Sequence, residues 1–121
     1  MRGAAPRRRV RLQMVVKCIK VHVKSGHLQQ YLAAQEVWNR ETRPAPGYLG
    51  GFCGRCEDEA ETVYLLFCWR CREDLVRWMS TEHDRIAALA KADEHYESIE
   101  VRVLDAALPP DMPFADLANC P

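Results

Sequence analysis

The sequence predicts an α+β domain of ferredoxin-like order, β-α-β-β-α-β, which a second copy closes into a dimeric α+β barrel. Three observations carry that expectation. Residues 14–24 and 98–104 concentrate apolar side chains on one parity (Val15, Ile19, Val21, Val23; Ile99, Val101, Val103), the period of a half-buried strand. Residues 27–42 and 75–90 place them at three- and four-residue spacing, the period of an amphipathic helix. Between the helical segments lie a glycine-rich stretch, an acidic turn, and a strand apolar on both parities.

The first strand carries Val15, Ile19, Val21 and Val23 on one parity and Cys18, Lys20 and His22 on the other, so one face is buried. Ser25-Gly26 breaks it. In the helix that follows, Leu28, Tyr31, Leu32, Gln35 and Trp38 share a stripe. Pro44 and Pro46 end that helix, because a proline ring disfavours helical backbone in the residue before it. The second strand spans about 48–56 and is weakened by glycine; Glu57-Asp58-Glu59-Ala60-Glu61 is a solvated turn. The third strand, 63–69, needs cover on both faces, yet so short a chain has helices for only one. A homodimer with sheets face to face is therefore expected.

The second helix carries Leu75, Trp78, Met79, Ile86, Leu89 and Ala90 inward. Glu82 falls within this stripe, where an unbroken helix would bury its charge. Ser80-Thr81 can cap a new helix start, so a kink and two shorter helices are expected there. Ile99, Val101 and Val103 alternate with Glu100 and Arg102 in a half-exposed fourth strand.

These elements make one domain over residues 14–104, flanked by a basic extension (1–13) and a proline-rich tail (105–121). Arg2, Arg7, Arg8, Arg9 and Arg11 all precede Met14, and no Asp or Glu does. The extension reads as an electrostatic arm, a disordered overhang, or sequence upstream of a true start at Met14. Without it, 12 basic residues face 17 acidic ones, and an acidic body repels a phosphate backbone. Nucleic acid is not expected as a partner. No apolar run nears the roughly 20 residues that span a bilayer, and no apolar stretch follows the basic cluster as in a secretory signal. Cytoplasmic residence, with no membrane partner, is the expectation.

Cys53, Cys56, Cys68 and Cys71 form a C-x2-C-x11-C-x2-C pattern, a spacing that suits tetrahedral zinc. Against zinc, residues three apart on a strand point to opposite faces, and neither second cysteine is followed by glycine. Cys18, Cys53 and Cys68 also read as small apolar side chains, and Cys71 stands where a helix N-cap belongs. A zinc-stabilised interaction module is carried as an alternative.

Strand, Gly26, helix, Pro46-Gly47-Tyr48, a strand ending in Trp69 and a helix bearing Trp78 together resemble the antibiotic biosynthesis monooxygenase-like superfamily of dimeric α+β barrels. The likeness covers about residues 14–104. The run from Trp78 to Asp84 is most similar to an uncharacterised bacterial branch. The resemblance implies a pocket between sheet and helices. Some relatives oxidise quinols or anthrones there with neither metal nor flavin, so no cofactor is expected. Others degrade heme with an Asn, a Trp and a His. Trp78 matches that Trp, but the other two positions hold Ile19 and Ala88, which speaks against heme.

Cofactor-free oxygenation of an aromatic, quinol or polyketide-type molecule requires a base in a dry pocket. His83 is the candidate catalytic residue, since histidine titrates near neutrality; it can equally cap the kink. Asp84 follows it, but helical neighbours diverge, so no dyad is expected. Trp38 and Trp78 are candidate pocket walls for a small aromatic ligand, or ordinary core. Gln35 interrupts an apolar stripe and needs a partner, which substrate, backbone or water can supply. His22 can line the barrel or the dimer interface. A non-catalytic ligand-binding or stress-associated barrel remains the alternative on the same fold. No phosphate loop, G-x-S-x-G elbow or H-E-x-x-H motif is present.

Overall fold

The computed structural model describes residues 13–106. Strand β1 (Val15–Val23) leads to helix α1 (Leu28–Thr42), then to β2 (Tyr48–Arg55) and β3 (Thr62–Trp69). Helices α2 (Arg72–Thr81) and α3 (His83–Ala90) follow, then a 3-10 turn (Ala92–His95) and strand β4 (Tyr96–Asp105). The sheet order is β2-β3-β1-β4 with every neighbouring pair antiparallel, the ferredoxin-like arrangement. The expected extension and tail lie outside the described residues, apart from Gln13, Asp105 and Ala106.

Directly paired residues share a face of an antiparallel sheet, so the register assigns each side chain. Val15 pairs with Trp69, Ile19 with Leu65 and Val21 with Val63. On the other flank Lys17 pairs with Val103, Ile19 with Val101 and Val21 with Ile99. These residues face the helices. The core has two centres. Val21, Val23, Tyr31, Ala34, Val63, Leu65 and Ala92 form one, and Val15, Trp69, Leu75, Trp78 and Ile86 the other. Trp38 and Phe67 pack against both.

The turn between α1 and β2 has a specific cause. Gly47 adopts φ +82°, and a Cβ there would overlap the Asp74 carboxylate in the first turn of α2. Arg70 N donates to Gly47 O at 2.7 Å, fastening the end of β3 to the same turn. Asp74 is buried and accepts from Arg70 Nε at 2.9 Å and from Arg77 Nη1 at 2.8 Å. Pro46-Gly47-Tyr48 and the acidic start of α2 are two halves of one contact.

The helix after β3 breaks where the misplaced charge predicts, but by a different device. Ser80 Oγ and Thr81 Oγ1 both donate back to Arg77 O and cap nothing. Glu82 is the one-residue break between the helices, its φ stretched to −119° at the edge of the helical region, and its carboxylate pairs with Arg85 at 2.8 Å. The break also corrects the expected inner stripe. Ile86 is fully buried, whereas Leu89 and Met79 are exposed.

No helix of the described residues covers the opposite sheet face. Val16, Cys18, Leu66 and Cys68 are half-buried there, and Phe52, Tyr64 and Leu104 are exposed. Among the described residues no helix is long and apolar enough to cross a membrane.

Candidate functional site

A cavity of about 750 Å³ lies between the helix-facing side of the sheet and the helices. Its floor is Lys17, Ile19 and Val21 of β1, Leu65, Phe67 and Trp69 of β3, and Ile99, Val101 and Val103 of β4. Tyr31, Gln35 and Trp38 of α1 form one wall; Leu75, Trp78 and Met79 of α2 and His83, Ala87 and Ala88 of α3 form another. The β4 residues remain about 40% exposed, because the helices sit over β1 and β3, so the cavity is open along that strand. The lining is mostly apolar with a few polar groups, the usual make-up of a small-molecule site.

Four of the five candidates meet here. His83 stands in the first turn of α3 with its ring centroid 5.2 Å from Trp38 and 5.5 Å from Trp78, edge-on to the latter. Trp38 and Trp78 are 6.0 Å apart, and Trp69 lies 5.4 Å behind Trp78. The Nε1 atoms of Trp69 and Trp78 are buried with no acceptor among the described residues, so these rings act as apolar surface. His83 Nδ1 is 3.1 Å from Asp84 Oδ1, contrary to the expected divergence of helical neighbours. The pair sits at the first two positions of α3. In the tautomer in which Nδ1–H donates to this carboxylate, Nε2 is the nitrogen left to accept a proton. Asp84 itself is fully exposed.

Gln35 is buried in the wall, and the described residues give its amide no hydrogen-bond partner. The fifth candidate, His22, is not in the lining. It lies on the outer parity of β1, with Nδ1 3.3 Å from Thr62 Oγ1. Tyr31 is buried, and burial first, then Cys53 and Tyr96, pushes its hydroxyl well above the usual range. It can serve the cavity only as a neutral phenol.

The site also holds a residue that the sequence reading passed over. Lys17 is only 8% exposed, on the floor of the cavity. Its Nζ donates to Met79 Sδ at 3.3 Å and lies 5.7 Å from the Trp78 ring centroid. No carboxylate of the described residues reaches it. Burial lowers its pKa from the ordinary lysine value. The signal was a charge at a position whose neighbours at i−2 and i+2, Val15 and Ile19, are both on the buried parity.

The zinc alternative is not assembled. Cys53 pairs with Leu65 on the helix side and packs in the core, while Cys68 pairs with Val16 on the outer side. Cys56 donates to Asp58 Oδ1 at 3.2 Å in the turn after β2, and Cys71 is buried with Sγ 3.3 Å from Asp74 Oδ2. No group of three or more His, Cys, Asp or Glu among the described residues is placed to hold a metal ion.

Residues 15–104 match a family model described as Domain of unknown function (DUF4937). No curated protein matches. Solved structures do. SnoaB from Streptomyces nogalater, a cofactor-independent oxygenase, is 13% identical with a TM-score of 0.70, over 83% of this chain and 99% of that one. A Nitrosomonas europaea protein provisionally assigned as an antibiotic biosynthesis monooxygenase is 17% identical, TM-score 0.69, over 82% and 95%. A conserved protein from Methanosarcina mazei Go1 is 17% identical, TM-score 0.68, over 78% and 93%. The fold is thus that of the antibiotic biosynthesis monooxygenase-like proteins; at these identities the likeness is one of fold.

Proposed function

We propose that this chain, which belongs to the DUF4937 family, is a monooxygenase-like protein acting on a planar aromatic, quinol or polyketide-type small molecule without a cofactor. The observation that carries the reading is the His83–Trp38–Trp78 ring cluster in the wall of a large apolar cavity. The rings offer flat apolar surface to a flat ligand. His83 Nε2 removes a phenolic or benzylic proton, and the electron-rich anion then reacts with molecular oxygen. For an anthrone, the ring CH2 and O2 give a hydroperoxide, which loses water to leave a ketone; one oxygen atom is incorporated and the other leaves as water. The fold shared with SnoaB supports this chemistry. The apolar outer sheet face supports a homodimer.

The test is oxygen uptake with anthrone and quinol substrates, wild type against His83→Ala. A general base contributes roughly 10²–10⁴ in rate, so turnover is expected to fall about a hundredfold or more. Unchanged turnover removes His83 from the mechanism. One observation favours a second reading, a ligand-binding barrel without catalysis: the partner of His83 is the fully exposed Asp84, a weakly held orienting group. That reading expects saturable quenching of tryptophan fluorescence by aromatic ligands with no product and no oxygen consumed.

A further inference from the structure

We propose that the cavity is built for an acidic aromatic ligand, whose anionic oxygen is held by Lys17 Nζ while its rings lie on the apolar floor of β4. This deepens the reading above and rests on it. A lysine head group is almost never buried without a carboxylate. Lys17 is more than nine-tenths buried, and its contacts are a thioether sulfur and an aromatic face. Neither replaces a hydration shell: sulfur is a weak acceptor, and a ring face attracts a cation by electrostatics alone. Among the described residues the ammonium therefore keeps unused donors, at the edge of a cavity large enough for a two- or three-ring molecule.

The surroundings specify the rest of the ligand. Val103 pairs with Lys17 across the sheet, and Val101 and Ile99 continue the same face away from it. These side chains are exposed apolar surface inside the cavity. The site thus presents one cation at one end and a hydrophobic strip leading from it, which matches a carboxylate, phenolate or enolate on a planar apolar body. Asp93 is the one carboxylate among the described lining residues, and it forms no ion pair with Lys17. Lys91 is the other cation, but its neighbour Ala92 packs with Val21, four residues along β1 from Lys17. An ammonium at the ligand oxygen also stabilises the anion that His83 would generate, so binding and proton removal draw on the same charge.

The experiment is calorimetric titration of the full chain with 2-naphthoate and with 2-naphthamide, which share ring and shape and differ in charge. A charge-assisted bond in a desolvated site is worth enough to give the acid roughly tenfold tighter binding. Lys17→Met is expected to abolish that preference and Lys91→Met to keep it. Equal affinity for the two probes in the wild type overturns the anion site and leaves the aromatic cavity standing, as does a preference that survives in Lys17→Met. Absence of binding by either probe overturns the cavity reading itself, and this inference with it. Should Lys17→Met fail to fold, the wild-type comparison of acid and amide and the Lys17→Gln variant decide the matter.

Discussion

Lys17 bears on stability as well as on ligands. Burial holds its folded-state pKa below the ordinary 10.5, so the unfolded chain binds more protons in the window between the two values. Stability then rises with pH through that window. Replacing the ammonium by an apolar side chain of similar length removes the uncompensated charge. Lys17→Met is expected to stabilise the fold by about 1 kcal/mol and to flatten the alkaline rise, both read from denaturant unfolding at several pH values. A loss of stability would mean that the ammonium has a partner in the folded state. The residue also shows where sequence pattern fails. Alternation assigns β1 correctly from Val15, Ile19, Val21 and Val23, but one charge among apolar residues reads as noise. The His83–Asp84 contact escaped for a different reason: the rule that helical neighbours diverge does not govern a side chain at a helix end.

The elements carry their own accounting. Sequence pattern marked the four strands and α1 to within about two residues: period two for β1 and β4, period 3.6 for α1, a continuous apolar run for β3, and the flanking turn residues for β2. The break between α2 and α3 was legible from the misplaced Glu82; the hydroxyl cap was not, since Ser80 and Thr81 found a nearer acceptor in Arg77 O. The C-x2-C spacing does not translate into a site, because Cys53 and Cys68 face opposite sides of the sheet while Cys56 and Cys71 lie past the strand ends against Asp58 and Asp74. The joint between the α1–β2 turn and α2 rests on Asp74. Burial alone would favour its neutral form, but hydrogen bonds from Arg70 and Arg77 outweigh that and hold its pKa below 3.8. Its contribution is present above the unfolded-state value and is lost as pH falls through the lower folded one. Asp74→Asn, which keeps the shape, is expected to destabilise by about 2 kcal/mol at neutral pH. The gap from wild type should close under strongly acidic conditions, as thermal unfolding at each pH will show.

At the scale of the whole molecule, the sheet face that no described helix covers was legible from β3, whose sequence is apolar on both parities. Phe52 is 61% exposed on that face, beside half-buried Leu66. Apolar side chains grouped at one end of that face, beside Lys20, Glu100 and Arg102, mark an interaction surface that a second copy would cover. Phe52→Glu, a change at an exposed position, is expected to convert a dimer to a folded monomer in analytical ultracentrifugation; a monomeric wild type would refute the pairing. The strand order has a consequence of another sort. The strand synthesised first, β1, lies in the interior of the sheet and pairs with the last, Val21 with Ile99. A ribosome releases this chain N-terminus first, so one edge of β1 stays unpaired until almost the whole domain has emerged. Contacts so distant in sequence form slowly, and an unpaired apolar strand is a template for aggregation in the meantime. The nascent chain is therefore most vulnerable just before its last strand appears, the stage at which a chaperone would matter most.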